Sequence, residues 1–215
     1  MPGLILTYLI PTIIYLVFTV THSLFASARF KEKLFSIAPA LKPYYRLFYN
    51  LFAFFLLLIW ISSLPDDQTF YRIEGFFFYL MISVQIFSGV CFLHALLTQN
   101  GSVFLGLKQL ANHLCHNIKP GYLDEPRRGQ LVKKGFYRYM RHPTYTFAMI
   151  FLLASPVMTA NLTYLILMIG IYFGIGSVYE ERNLEKRFGD EYLKYQKEVP
   201  KFIPDFFDIF RSKSS

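Results

Sequence analysis

Long apolar runs alternate with short polar stretches along the chain. Five runs approach the roughly 20 residues that a helix needs to cross a bilayer: about 4–23, 46–64, 75–97, 145–159 and 161–178. The fourth is short and contains Pro156, which leaves open whether it crosses the membrane completely. The pattern predicts an all-α, polytopic integral membrane protein with about five transmembrane helices in a single domain, 1–215.

The polar stretches predict how this domain is divided. Segment 98–144 is too long for an idle connection in a compact bundle. Residues 159–161 are few enough to predict a tight helical hairpin between the last two runs, and 180–197 has the period of an amphipathic helix with Leu184, Phe188 and Tyr192 on one stripe. We expect three parts: 1–97 with three helices, 98–204 with the hairpin, and a tail, 205–215.

Basic residues are concentrated in alternate polar stretches. Of the 22 Lys and Arg residues, only Arg72 lies in segment 65–74, and the other 21 lie in 26–46, in 98–144 or after 179. Basic residues favour the cytoplasmic side, so we expect the N-terminus outside and the C-terminus in the cytoplasm. This topology accounts for the net charge of +8, and it predicts the lipid bilayer, not nucleic acid, as a partner.

Ionisable and aromatic residues are concentrated at the two ends of the expected hairpin. The stretches are LVKKGFYRYMRHPTY, 131–145, and EERNLEKRFGDEYLKYQKEVPKFIP, 180–204. Because a hairpin brings its ends together, we expect Arg141, His142 and Tyr145 to lie near Glu180 and Glu181. Two interpretations stay open: basic anchors with salt-bridge partners at the membrane surface, or a functional pocket, which ionisable groups at a membrane edge often form.

These two stretches resemble the isoprenylcysteine carboxyl methyltransferase superfamily of integral-membrane methyltransferases. Its pattern is G-x-Y-x-x-x-R-H-P-x-Y, then Glu-Glu and F-G-x-x-Y-x-x-Y-x-x-x-V-P. The chain supplies Gly135, Tyr137, Arg141, His142, Pro143, Tyr145, Glu180, Glu181, Phe188, Gly189, Tyr192, Tyr195, Val199 and Pro200. The resemblance implies a cytoplasmic site for S-adenosylmethionine in part 98–204.

The resemblance also implies which residues contact this cofactor: Leu131, Val132, Tyr137, His142, Pro143, Tyr145 and Glu180. The chemistry of the cofactor extends this set. Arg141 or His142 can pair with its carboxylate, and Glu180 or Glu181 can accept from its ammonium or ribose hydroxyls. Tyr137 and Tyr145 can stack on adenine or face the sulfonium through a cation–π contact.

Three further stretches are similar to the methanethiol S-methyltransferase and NnrU-like branch of the superfamily: HSLFAS at 22–27, YRLFYN at 45–50 and FLGLKQ at 104–109. In the expected topology, His22 ends the first helix and Arg46, Tyr49 and Asn50 begin the second on one helical face. All four then lie at the level of the cofactor site. They are candidates for substrate binding, and helix capping with interface anchoring is the alternative.

One departure bears on the methyl acceptor. The prenylcysteine enzymes carry an Arg four residues before the Glu pair, where it meets the substrate carboxylate, and this chain has Gly176 there. A small or lipophilic thiol such as methanethiol needs no such partner, so we expect a thiol acceptor. A thiol reacts as its thiolate. His142, Glu181 or His22 can act as the base, and nothing in the sequence chooses among them.

Other functions fit less well. Prenylcysteine carboxyl methylation is the first alternative, sterol reduction with a nicotinamide cofactor the second, and a non-enzymatic NnrU-like membrane protein a third of another class. The chain has no β-α-β pattern with a phosphate-binding glycine motif, which excludes a Rossmann-type methyltransferase. His113, Cys115 and His116 lack a fourth ligand at zinc spacing, so we expect no metal. The sequence leaves the oligomeric state open.

Overall fold

The computed structural model describes residues 6–99, 103, 105–116 and 131–204. Eight helices and two strands follow one another in these parts of the chain: α1 (Leu9–Ala26), α2 (Ala28–Ile37), α3 (Lys42–Ser62), β1 (Thr69–Arg72), α4 (Gly75–Thr98), α5 (Leu107–His116), α6 (Pro143–Leu153), β2 (Val157–Thr159), α7 (Ala160–Phe188) and α8 (Asp190–Glu198). Short 3₁₀ turns at Pro39–Leu41 and Gly135–Arg138 precede α3 and α6.

Among the described residues, four helical stretches are long and apolar enough to cross a membrane: α1, Pro39–Ser62, α4 and α7. Their surfaces expose large apolar side chains, such as Phe87 at 66% and Val90 at 62%, which suits contact with lipid. The protein is therefore an integral membrane protein. The fourth predicted span is the 11-residue helix α6, about 16 Å long against a bilayer core of about 30 Å, so the count of five is not confirmed.

The first compact unit comprises Met1–Asp67 and Asn100–Arg128. Helices α1 and α5 both pack on α3, and the rings of Tyr15 and Trp60 lie 5.0 Å apart between α1 and α3. Gly106 has φ +86°, and a Cβ atom there would lie 2.5 Å from the Leu47 backbone nitrogen. Only glycine permits this conformation and this close approach to α3.

The second compact unit comprises Gln68–Gln99 and Gly129–Ser215. Helix α4 packs along α6, and α7 contacts both α6 and α8. Cys91, Met140 and Phe147 form an apolar cluster between α4 and the start of α6. Gln85 also donates its side-chain N–H to the Phe151 carbonyl at 3.0 Å. The two charged stretches of the sequence, 131–145 and 180–204, both belong to this unit.

A short sheet replaces the predicted hairpin turn. Strands β1 and β2 pair antiparallel, with Thr69 opposite Thr159 and Arg72 opposite Val157. The Thr159 hydroxyl then accepts from the Leu162 N–H and caps α7, as threonine commonly does. The tight helical turn at 159–161 was a wrong prediction, because residues 157–159 pair with a strand almost 90 residues earlier. The fold is otherwise mostly helical.

The predicted amphipathic helix 180–197 is also two helices. Its first half continues α7 without a break, and Gly189 separates it from α8 with φ +54° and ψ −130°. This conformation strongly favours glycine. The predicted stripe nevertheless packs together across the break, because Leu184 and Phe188 contact the buried cluster of Tyr192, Tyr195 and Val199.

Candidate functional site

The Arg141–His142 segment is bound along its backbone to the chain that follows α8. The Arg141 N–H donates to the Pro200 carbonyl at 2.9 Å, and the His142 N–H donates to the Lys201 carbonyl at 3.0 Å. The Thr146 hydroxyl adds a bond to the Phe202 carbonyl at 2.8 Å. Residues 200–202 thus form a strap that holds the entrance to α6 in one position.

Glu181 is the centre of a buried ion cluster. Its Oε1 atom accepts from Arg141 Nε at 2.8 Å and lies 3.1 Å from His142 Nε2, while Lys201 Nζ lies 3.6 Å from Oε2. The Glu181 side chain is 11% exposed, that of Arg141 12% and that of His142 3%. The side chains of this cluster are therefore largely withdrawn from solvent and engaged with one another.

Glu180, the next residue along α7, has a different environment. Successive residues of a helix point about 100° apart, and the Glu180 side chain is 44% exposed. The Tyr145 hydroxyl donates to its Oε2 atom at 2.9 Å, and His142 Nδ1 lies 3.6 Å from the same oxygen. Glu180 therefore presents an accessible carboxylate, fixed by one hydroxyl, that can accept from a ligand.

A stack of aromatic rings lies beside this carboxylate. The Tyr145 ring is parallel to Phe173 at 4.3 Å between centroids and also stacks with His142 at 5.1 Å. Phe202 follows His142 at 5.6 Å. Because protein rings stack on Tyr145 in this way, its hydroxyl is better placed than its ring face to meet a ligand.

Tyr137 is buried and held at both ends. Gln99 donates its side-chain N–H to the Tyr137 hydroxyl, and the Tyr195 hydroxyl donates to the Tyr137 carbonyl at 2.6 Å. Burial, and then the negative charge of Glu180, raise the pKa of the Tyr137 phenol well above its ordinary value. The phenol stays neutral at physiological pH and can donate a hydrogen bond.

The other predicted cofactor contacts belong to the same unit. Leu131 packs against the cluster of Tyr192, Tyr195 and Val199, and its neighbour Val132 is half-buried. Pro143 is fully buried at the first position of α6, where its missing N–H costs nothing. The structure thus places all nine predicted cofactor residues in one compact unit, and whether they bind a cofactor stays a prediction.

The predicted substrate-binding residues come together in the first unit. His22 Nε2 lies 2.7 Å from the Tyr49 hydroxyl, between α1 and α3. The Arg46 guanidinium lies 5.7 Å from the centre of the Tyr49 ring, and Asn50 is half-buried at the next position of α3. Arg46, Tyr49 and Asn50 have the spacing of one face of α3, and His22 of α1 meets this helix at Tyr49. Whether these residues bind a substrate stays a prediction.

The segment 113–116, which was considered as a metal site, shows no grouping of ligands among its described side chains. The His113 ring meets Tyr44 edge-on at 5.5 Å, and Cys115 is exposed. Across the described ranges, no three His, Cys, Asp or Glu side chains are close enough to hold a metal ion. The side chain of His116 lies outside the described residues.

Sequence reasoning missed several residues that shape the site: Gln99, Phe173, Lys201 and Phe202. Phe173 lies in an apolar run that contains nothing to distinguish it from its neighbours. Gln99 carried a usable signal, since it is a polar residue at the end of the apolar run of α4, directly after Thr98. Lys201 and Phe202 lie beyond the expected helix 180–197, and only the folded chain shows that they return to α6.

These observations define a class: an integral membrane protein with a buried ion cluster and one accessible carboxylate beside aromatic side chains. In a comparison with known protein families, the phospholipid methyltransferase family matches residues 75–191 of this chain. The match covers more than half of the chain and includes most of the described site. The chain belongs to this family.

Two relatives that match most of this chain agree. Methanethiol S-methyltransferase 1 of Bradyrhizobium diazoefficiens is 32% identical over 190 residues, which are 87% of this chain and 63% of that enzyme. Methanethiol S-methyltransferase of Pseudomonas deceptionensis is 27% identical over 93% of this chain and 73% of its own length. The chain therefore spans about two thirds of the length of these relatives.

A third relative matches a smaller part. Protein-S-isoprenylcysteine O-methyltransferase B of Arabidopsis thaliana is 33% identical over 78 residues, 35% of this chain and 40% of that enzyme. No solved structure matches the chain significantly. The relatives named here are all methyltransferases by name, and they differ in the acceptor that their names describe.

Proposed function

We propose that the protein transfers a methyl group from S-adenosylmethionine to a small or lipophilic thiol, such as methanethiol. The methyltransferase names of the relatives and the family match support methyl transfer. The observation that carries the proposal is the Glu180 carboxylate, 44% exposed and held by the Tyr145 hydroxyl. An accessible, oriented carboxylate suits a cationic ligand.

The side chains around Glu180 fit this cofactor. S-adenosylmethionine carries a sulfonium and an ammonium, and a carboxylate beside neutral phenols suits such cations. We assign Glu180 to the ammonium or the ribose hydroxyls and the Tyr137 hydroxyl to a donated hydrogen bond. The Tyr145 hydroxyl, which already donates to Glu180, is assigned to accepting one. Leu131 and Val132 supply apolar contacts, and the fully buried Pro143 acts indirectly by beginning α6. The protein thereby binds and aligns, and the reactive carbon belongs to the cofactor.

The reaction is a direct displacement. When bound, S-adenosylmethionine would supply a methyl group to a thiolate sulfur: a sulfur–carbon bond would form, the methyl–sulfonium bond would break and S-adenosylhomocysteine would leave. The thiol proton would first pass to a base, for which His142, Glu181 and His22 are the candidates. The chain's task is to hold donor and acceptor in line. The substrate-binding set, His22, Arg46, Tyr49 and Asn50, is proposed for the acceptor because polar side chains within apolar helices are often functional.

The position of Gly176 supports a neutral acceptor. A Cβ atom there would meet nothing within 4 Å, and no cationic side chain occupies this position one turn before Glu180. An acceptor carboxylate would thus lack a charge partner at Gly176. We therefore favour a thiol without an acid group.

We also propose that the site faces the cytoplasm. The N-terminus then lies outside and the C-terminus inside, which places 21 of the 22 Lys and Arg residues on the cytoplasmic side. In this arrangement α6 is a short fifth membrane element next to the site. The basic stretches support this orientation through the positive-inside rule.

The experiment is a transfer assay with detergent-purified protein and S-adenosylmethionine labelled in its methyl group. We expect label in dimethyl sulfide when methanethiol is the acceptor. Glu180→Gln should abolish transfer, and Glu191→Gln, which changes an exposed carboxylate paired with Lys133, should leave it unchanged. Absence of label in any methylated thiol would reject the proposal.

Carboxyl methylation of a prenylcysteine is the second candidate, because of the similarity to the isoprenylcysteine enzyme of Arabidopsis thaliana over 35% of this chain. The same assay with farnesylcysteine separates the two. Label in a base-labile methyl ester of farnesylcysteine would support carboxyl methylation. Label in dimethyl sulfide with methanethiol, and none in farnesylcysteine, whose sulfur is already a thioether, would support the thiol reaction.

A further inference from the structure

We propose that Arg141 is a positioning residue and not a ligand of the cofactor. The proposal rests on the function proposed above, in which the same segment binds S-adenosylmethionine. The sequence alone suggested that Arg141 pairs with the carboxylate of the cofactor. The contacts of its side chain assign it to Glu181 and to the end of α8.

Three of the five N–H donors of the Arg141 guanidinium are used within the protein. Nε donates to Glu181 at 2.8 Å, and Nη1 donates to the Gln196 carbonyl at 2.8 Å and to the Val199 carbonyl at 2.9 Å. The last carbonyls of a helix lack partners within it and carry partial negative charge. Arg141 satisfies two carbonyls at the end of α8 and neutralises Glu181 at the same time.

These bonds join three parts of the second unit. Glu181 belongs to α7, Gln196 to α8, and Arg141 to the turn before α6. A guanidinium has a planar fork of donors, so it can hold such partners at fixed angles, whereas a lysine ammonium cannot. The side chain therefore sets the position of α8 and the strap relative to α7.

The effect reaches the accessible carboxylate through His142. This imidazole lies between the two glutamates, 3.1 Å from Glu181 and 3.6 Å from Glu180. It also stacks on Tyr145, which donates to Glu180. Without Arg141, the Glu181 carboxylate would keep only His142 and Lys201 as cationic or donor partners, and its side chain would move toward them. The His142 ring would then no longer be held beside Tyr145. Glu180 would then lose its orientation while keeping its charge.

The test is a double-mutant cycle on S-adenosylmethionine binding, measured by calorimetry with the full chain in detergent. The variants are Arg141→Gln, Glu181→Gln and the double variant, with Arg182→Gln as the matched control, since Arg182 lies beside Tyr179 outside the cluster. We expect each single variant to bind the cofactor at least tenfold more weakly, and the double variant to bind no more weakly than either, because the charges are removed as a pair.

If Arg141 binds the cofactor directly, the two losses will multiply in the double variant, and the proposal is wrong. Arg141→Lys gives a second measurement if the Gln variants unfold. If Arg141 is a positioning residue, Lys cannot take over its role. In Arg141→Lys the KM for S-adenosylmethionine should therefore rise about tenfold, while the KM for the thiol changes less than twofold. Equal rises in both, or no rise, would contradict the proposal.

The failures of the two proposals are distinguishable. If wild-type protein binds no S-adenosylmethionine, the proposed function fails and with it the basis of this inference. If wild-type protein binds it and the variants lose affinity multiplicatively, only the role of Arg141 is wrong.

Discussion

Adjacent glutamates in α7 should respond differently to the same substitution. Glu181→Gln keeps the size of the side chain and removes the charge that neutralises Arg141 and lies near Lys201. Breaking a largely buried ion pair costs roughly 3–5 kcal/mol. Because the new amide oxygen still accepts one hydrogen bond from Arg141, we expect the lower end of that range, about 3 kcal/mol.

Glu180→Gln should cost far less stability. This carboxylate is 44% exposed, and its bond from the Tyr145 hydroxyl can persist to an amide oxygen, so the loss is about 1 kcal/mol or less. For a chain of this size, each kcal/mol shifts the melting temperature by about 2–4 °C. We therefore expect a fall of about 6–12 °C for Glu181→Gln and at most about 4 °C for Glu180→Gln.

Circular dichroism of the detergent-purified variants during heating measures this difference. The two variants should rank in the opposite order for ligand binding. Glu180→Gln, the more stable variant, should fold almost normally and lose S-adenosylmethionine binding. Equal melting shifts for the two variants, or a larger shift for Glu180→Gln, would refute the distinction between a buried cluster and an accessible ligand.

Three further predictions follow from single features. Burial raises the pKa of the phenols of Tyr137, Tyr192 and Tyr195, so their contribution to stability is complete below pH of about 10 and is lost as the pH rises above it. A melting temperature that does not fall above that pH would contradict this. Gly189→Ala should lower the free energy of unfolding by about 1–3 kcal/mol, because Gly189 has a positive φ. Gly174→Ala should not lower it, since nothing lies within 4 Å of the new Cβ atom. Equal melting temperatures of the two variants would contradict this prediction. An accessibility reporter placed before β1 should lie outside and one at the C-terminus inside, and the opposite labelling would reverse the proposed topology.

The sequence predicted the elements that depend on local pattern. Apolar runs of about 20 residues correspond to α1, α3, α4 and the first part of α7 within a few residues. The proximity of Arg141, His142 and Tyr145 to the two glutamates was also predicted correctly. The two helices of the expected hairpin, α6 and α7, do pack on each other, but strand β2 joins them in place of the predicted tight turn.

The rest depended on partners far away in the sequence. Strand β2 forms because β1 lies beside it, and a three-residue strand has too little pattern of its own to be recognised. The break at Gly189 carried a readable signal, since a glycine just after a last turn that contains Lys186 and Arg187 is typical of a helix end. The contacts of Arg141 with Gln196 and Val199 carried none, because they involve backbone carbonyls that any sequence would supply.

Calorimetric binding of S-adenosylmethionine to the detergent-purified protein tests the central claim most directly. The account predicts saturable binding by wild-type protein and by Glu191→Gln, and loss of binding in Glu180→Gln without loss of fold. Binding that survives in Glu180→Gln would remove Glu180 from the site. No binding by folded wild-type protein would contradict the proposed function.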